Sequence, residues 1–250
     1  MNLWREQRWP LVLRDGEIHV WKVDLDRVAV AVQALKSTLA PAEPSRVRPF
    51  NCVLDRRRQA VSYGVLRNIL AGYLCTAPAE LEFRRSPDGK PELAGSELHF
   101  NLARSDGMAL YAVSRSLEVG IDVEHIRAGV EEDLAGWLLP PSILLLAALT
   151  PAQRQLVFFQ SWTRMEAYSK ALGVGLARGI GDFESFLFLD APPSSSADGP
   201  LWRAPWWIHD FLPDRGYAAA LAARGGSGSL SFWKWRTRIS PADNLRIPER

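Results

Sequence analysis

The chain is constrained first by the alternation of two hydrophobic periods along its length, one of two residues and one of three to four. A strand repeats every two residues and a helix every 3.6, so neither element can bury the other's pattern. Residues 17–25 (EIHVWKVDL) alternate as a strand, and residues 26–39 carry apolar positions at helical spacing. Beyond the proline-bearing stretch 41–49, residues 55–74 form a longer helical pattern through Val61, Val65, Ile69 and Leu70. Ser86-Pro87-Asp88-Gly89-Lys90 is a turn signal, and residues 98–102 and 109–113 suit strands. The second half repeats the plan, with a strand over 119–124, a helix over 151–172, a strand over 183–189 and a loop over 191–200. A turn at 225–229 leads into a last strand, 230–235, where Trp233 and Trp235 share a face.

The segment Asp106-Gly107-Met108-Ala109-Leu110-Tyr111-Ala112-Val113 is echoed by Arg215-Gly216-Tyr217-Ala218-Ala219-Ala220-Leu221-Ala222. The expected fold is therefore α+β: two pseudo-symmetric subdomains, each a small, mainly antiparallel sheet packed with a long helix, with the site at their interface. The boundaries fall at 1–116 and 117–250, the final strand belonging to the second.

A chain of 250 residues buries about 70 to 75% of its unfolded surface, enough for a core without disulfides or structural metal. Its net charge of +2 excludes an overall nucleic-acid footprint. Cys52 and Cys75 lack partners at metal-ligand spacing and read as reduced, packed thiols, which suits the cytoplasm. Residues 1–10 contain no apolar signal core, and the most apolar run, 137–149, is broken by Pro140 and Pro141 and falls short of a membrane span. That run reads as a core or interface helix. The expectation is a cytoplasmic monomer with neither nucleic acid nor membrane as partner. His19, His99, His125 and His209 make no metal-ligand spacing and read as structural, while Trp202, Trp206 and Trp207 around Pro205 suit a partner surface. No glycine-rich phosphate loop or nucleophile elbow is present.

Two patterns carry chemistry. Asp122 and Glu124, two residues apart in Gly120-Ile121-Asp122-Val123-Glu124, project from one face of a strand. Trp162, Glu166 and Lys170 recur every four residues and line one stripe of the later helix. Alone, the first is ordinarily solvated charge and the second an ordinary helical Glu to Lys pair. In this order they resemble the surfactin-type 4′-phosphopantetheinyl transferases, which pair a strand motif G-I/V-D-I/V/L-E with a helix motif W-S/T-x-K-E-A/S-x-x-K. Upstream, His99-Phe100-Asn101-Leu102-Ala103-Arg104-Ser105-Asp106-Gly107 resembles the family's F-N-I/L-S-H-S-x-G, Gly89-Lys90-Pro91 its G-K-P, and Arg48-Pro49-Phe50 sits where the family has a basic coenzyme A contact.

The resemblance implies transfer of the phosphopantetheine arm from coenzyme A to a serine hydroxyl of an acyl or peptidyl carrier protein of polyketide, peptide or fatty-acid synthesis. Three carboxylates drawn together repel by about 4 kcal/mol per adjacent pair at an effective dielectric near 20, so they need a cation or a shared proton. Magnesium, a hard ion taking oxygen ligands, would be held by Asp122, Glu124 and Glu166. Glu166 would also accept the serine proton, Lys170 would neutralise the phosphoryl oxygens, and Lys90, Arg46, Arg48 and Arg104 would hold the nucleotide phosphates. The carrier would dock near 137–149. Three departures bear on activity: Ala103 and Arg104 stand for the family's serine and histidine, and Met165 for the lysine before the helix glutamate. A lysine restored at 165 is expected to raise turnover, provided its ammonium is not buried against Trp162. Two rivals remain at this point: a non-catalytic relative that binds coenzyme A or a carrier protein, and diverged chemistry on a coenzyme A derivative.

Overall fold

Both faces of the strand β2 (Glu17–Asp24) are apolar and buried: Trp21 and Val23 point one way, Ile18 and Val20 the other. Such a strand needs a layer on each side. The structure is a computed structural model, and it describes residues 4–7, 10–28, 35, 38, 53–87, 89–128, 148–173, 206–226 and 228–236. Among these, β2 lies within a five-stranded sheet of order β1-β10-β2-β6-β5, formed with β1 (Arg5–Glu6), β5 (His99–Ser105), β6 (Met108–Ser114) and β10 (Ser229–Lys234). Strands β2, β6 and β5 are antiparallel neighbours.

The last strand departs from expectation. It pairs with β2 of the first sheet, in parallel, and not with the second half of the chain. Its side chains explain the choice: Trp233 sits 6.1 Å from Trp21 and 5.7 Å from His19, while Phe232 joins the apolar layer on the sheet's other side. The sheet is accordingly antiparallel on one side of β2 and parallel on the other.

Helix α1 (Val53–Leu74) covers the Trp21 face with Val61, Val65, Ile69, Leu70 and Tyr73. It ends at Cys75, which takes a left-handed conformation (φ 53°) and is an exposed free thiol, where a packed one was expected. Cys52, residues 26–39 apart from 26–28, 35 and 38, and residues 183–189 lie outside the described residues. The hairpin of β3 (Phe83–Arg85) and β4 (Pro91–Leu93) flanks α1, whose buried Arg67 donates to the carbonyls of Pro78 and Leu81.

The opposite face of the first sheet, Ile18, Val20, Leu110 and Ala112, packs on a second, antiparallel sheet of order β7-β9-β8, formed by β7 (Val119–His125), β8 (Trp206–Phe211) and β9 (Tyr217–Arg224). The outer face of that sheet carries Ala218, Ala220 and Ala222 and is covered by α2 (Pro151–Leu172). The layers thus run helix, sheet, sheet, helix. Helix α2 begins with a capping box, Thr150 and Gln153 bonding reciprocally with Pro151 at the first position, and ends at Gly173 in the left-handed region (φ 79°). The two segments that echo each other in sequence are the return strands of the β5–β6 and β8–β9 hairpins.

His19 is buried between β10 and α1, with Nδ1 2.7 Å from the Tyr73 hydroxyl. Burial lowers its pKa to about 4, against a modest opposing pull from Glu17. Above the ordinary value of 6.5 both folded and unfolded chains hold a neutral imidazole. As pH falls below that, only the unfolded chain takes up the proton, so stability drops until the folded imidazole titrates near pH 4. The expected loss is up to about 3 kcal/mol. Urea unfolding at pH 7.5 and pH 4.5 measures it, and His19→Gln should flatten this slope; an unchanged slope would contradict the assignment.

Candidate active site

The strand β7 presents Val119, Ile121 and Val123 to the inter-sheet core, which turns Gly120, Asp122 and Glu124 towards α2. Gly120 decides how near the helix comes. A Cβ there would collide with the Ala167 carbonyl oxygen and the Ala171 backbone nitrogen, so only glycine permits this approach. Asp122, next on the same face, is consequently buried beneath the helix, and Lys170 Nζ reaches its Oδ1 at 2.5 Å. Strand and helix motifs, far apart in sequence, meet at this ion pair.

Glu124 is positioned from the other sheet. Ser105 Oγ of β5 donates to Glu124 Oε2 at 2.7 Å and accepts from the His125 backbone nitrogen at 3.0 Å. Four residues back on the same strand, Asn101 Oδ1 accepts from the Ile121 backbone nitrogen at 3.0 Å. Ala103 lies between them in the inter-sheet core. Side chains on one face of β5 therefore stitch the two sheets together beside the carboxylates. The period of two along HFNLARS carries this pattern in the sequence, but Asn101 and Ser105 are not recognisable as positioning residues until β7 is placed beside them.

The electrostatics follow from burial. Burial pushes the Glu166 carboxyl up to about 7, with Lys170 opposing and the charges of Asp122 and Glu124 adding to the rise. Glu124 is raised by burial and then by Asp122, with the Ser105 hydrogen bond pulling it back. Burial likewise raises Asp122, opposed by Lys170. For Lys170, burial works against the ammonium but the surrounding carboxylates outweigh it, so the group stays firmly charged.

These residues suit a hard divalent ion in their chemistry. They are carboxylates only, and Asp122 Oδ2 is buried without a hydrogen-bond partner, an unmet demand that an ion would answer. Among the described residues, however, no three His, Cys, Asp or Glu side chains stand in a ready chelating arrangement. Lys170 holds the cationic position at Asp122 instead.

Other expected site residues fall elsewhere. Lys90 does not reach towards the carboxylates: its Nζ donates to the carbonyls of Val119 at 3.2 Å and Ala171 at 3.0 Å. It thereby clasps the β3–β4 hairpin to the start of β7 and the C-terminal turn of α2, where helix carbonyls attract a cation. Arg104 lies on the face of β5 opposite Ala103, and the groups nearest it electrostatically are Tyr63, Tyr111 and Asp55 on the α1 side. It borders the side of α1 where a cavity is lined by Gln59, Tyr63, Arg84, Arg85 and Pro91. Arg46, Arg48 and residues 129–147 lie outside the described residues, as does Trp202. Trp206, expected at a partner surface, is buried edge-on against Tyr168, and Trp207 stacks on His209.

Met165 is fully buried in the apolar cluster between α2 and the β9 alanines. The preceding Arg164 pairs with Asp210 of β8. The condition set for a gain from lysine at 165, an ammonium that is not buried, is not met, because the ammonium would enter an apolar layer. Met165→Lys should cost about 3 to 5 kcal/mol at neutral pH, because a buried lysine must give up its proton or its solvation. A fall in melting temperature of roughly 10 °C, with no gain in turnover, is the expected outcome; full stability with faster turnover would refute the placement.

The 4′-phosphopantetheinyl transferase superfamily pattern matches residues 118–222, which span both motifs. Over 240 residues the chain is 34% identical to the 4′-phosphopantetheinyl transferase HetI of Nostoc sp., covering 94% of this chain and 99% of that protein. It is 30% identical over 167 residues to a putative 4′-phosphopantetheinyl transferase of Synechocystis sp., covering 64% and 67% of the two chains. Against the 4′-phosphopantetheinyl transferase of Bacillus subtilis the identity is 27% over 199 residues, 79% and 84% covered. With the paired motifs joined at one buried ion pair and this similarity running nearly end to end, the chain belongs to the 4′-phosphopantetheinyl transferase superfamily and is an enzyme of that class.

Proposed function

We propose that this enzyme is of the surfactin type, takes coenzyme A as donor and modifies a serine hydroxyl of an acyl or peptidyl carrier protein with the help of magnesium. The observation that carries this reading is the meeting of Asp122, Glu124, Glu166 and Lys170 across the β7–α2 seam, with the Asp122 Oδ2 lone pairs unclaimed. Asp122, Glu124 and Glu166 would hold the ion, and its charge would offset the negative charge of the donor's pyrophosphate.

The chain's own residues supply the rest. Glu166, half-buried and pushed up to about 7 by burial before any ion opposes it, is placed to take the serine proton. Lys170 neutralises charge on the phosphoryl oxygens as the bond to the leaving adenosine 3′,5′-bisphosphate breaks. Gln59, Tyr63, Arg84 and Arg85 line a cavity whose cationic, partly apolar wall suits the nucleotide end, and Tyr63 is also within electrostatic reach of Arg104. Lys90 supports this reading as a strut, since two of its three donors go to carbonyls of the seam. Ser105 and Asn101 hold Glu124 and β7 in place, so the loss of a hydroxyl at Ala103 removes nothing from the carboxylate shell.

A non-catalytic binding role is not favoured, because the carboxylate set and Lys170 are intact and the relatives matched over most of the chain are named as transferases. Incubation with coenzyme A, magnesium and apo carrier proteins, read by intact mass, should show a gain equal to the phosphopantetheine arm. Tight coenzyme binding without any modified carrier would overturn the reading.

Two kinetic outcomes follow from the carboxylates. A bound divalent ion lowers this carboxyl from its value of about 7, so activity should rise with pH on a limb below that value, and Glu166→Gln should cost at least about 100-fold in kcat while removing that ionisation from the profile. A profile that keeps the same ionisation in the glutamine variant would assign the base elsewhere.

A further inference from the structure

The β3–β4 hairpin is too small to hold its own place. Its strands are three residues each, Phe83–Arg85 and Pro91–Leu93, and so short a pair needs other elements to fix it. Yet it supplies Arg84, Arg85 and Pro91 to the cavity whose facing wall is Gln59 and Tyr63 of α1. Towards α1 it is held by Phe83, which packs edge-on against Phe100 and lies 5.0 Å from the buried Arg67 guanidinium. Among the described residues, the hydrogen bonds that tie it to β7 and α2 are those of Lys90, whose Nζ donates to Val119 O at 3.2 Å and Ala171 O at 3.0 Å. The turn that carries Lys90 is firm, since Ser86 N donates to Lys90 O at 2.9 Å and Lys90 N donates to Ser86 Oγ at 3.1 Å. Val119 directly precedes Gly120, and Ala171 directly follows Lys170. One ammonium therefore joins three elements beside the close approach of strand and helix.

We propose that Lys90 is a positioning residue that sets the spacing between the nucleotide cavity and the phosphate-transfer groups of the β7–α2 seam, and so selects a donor that spans both. The inference rests on the reading of that cavity as the seat of the donor's nucleotide end. In coenzyme A the adenosine 3′-phosphate and the pyrophosphate are joined through a single ribose, a short and stiff link. A ligand that touches two sites through such a link binds tightly only where their spacing matches its own. Lys90 fixes that spacing from the hairpin, because charge-assisted hydrogen bonds to two backbone carbonyls tolerate little displacement. The place its ammonium occupies is one that suits a cation and repels phosphate, for it lies against a carbonyl of the last turn of α2. The lysine of Gly89-Lys90-Pro91 thus serves the donor without touching it.

Lys90→Met keeps the length of the side chain and removes its donors. Titration calorimetry of the full chain in magnesium compares two ligands, coenzyme A, which spans cavity and seam, and adenosine 3′-monophosphate, which reaches the cavity alone. Coenzyme A should bind Lys90→Met about tenfold more weakly than the wild type, while adenosine 3′-monophosphate binds both equally. In turnover with a carrier protein, KM for coenzyme A should rise by a similar factor while kcat falls by less than about threefold. Lys90→Arg, whose fork keeps the donors but alters the spacing, should show the same split at about threefold, and it carries the test if Lys90→Met does not fold. Equal losses for the two ligands would make Lys90 a direct phosphate contact, and unchanged affinities with a lowered melting temperature would make it a structural tie alone. Either result overturns the inference and leaves the cavity's assignment standing. If Arg85→Ala binds adenosine 3′-monophosphate as tightly as the wild type does, the cavity is not the seat of the nucleotide, and the inference falls with that reading.

Discussion

The structure depends on the close approach of α2 to β7 at Gly120. Because no side chain intervenes there, a helix and a strand carrying opposite charges are brought within contact, and Asp122 is carried below the surface with Lys170 above it. The neighbouring alanines of β9 serve the same end, keeping the helix low over the sheet. Burial of carboxylates is costly unless cations answer it, so the geometry that builds the fold also builds the electrostatic demand of the site. Stability and chemistry share this seam: the close packing that holds the outer layer together also raises the Glu166 carboxyl to about 7.

The second requirement is that Glu124, near the end of β7, be held at a fixed height. That is met from the first sheet, by Ser105 and Asn101 of β5. The site is therefore a product of both sheets, and the inter-sheet core of Ile18, Val20, Leu110, Val119, Ile121 and Leu221 is what keeps its two sources in register. Lys90 closes the arrangement at the opposite end of the seam by taking up carbonyls of Val119 and Ala171.

Much of this is legible in the chain because it is local. The period-two pattern at 119–124 and the helical pattern at 151–172 place Asp122, Glu124, Glu166 and Lys170 on their elements directly. What is not legible is non-local. The last strand joins β2 because Trp233 and Phe232 fill two different layers, a fact no local pattern contains. The strand Trp206–Phe211 hides because both of its faces are covered, Trp206 by Tyr168 and Phe211 by Phe232, so apolar and polar residues do not alternate along it. Family correspondence located Lys90 and Met165 by position, but position does not say where a side chain's donors are spent or whether its surroundings are apolar.

The central proposal is that the carboxylates at the β7–α2 seam hold a divalent ion against the donor's phosphates. Anomalous scattering from crystals grown with manganese and coenzyme A measures this most directly. The account predicts one strong peak bounded by oxygens of Asp122, Glu124 and Glu166 at about 2 Å. A manganese peak away from these carboxylates while coenzyme A is bound would contradict it.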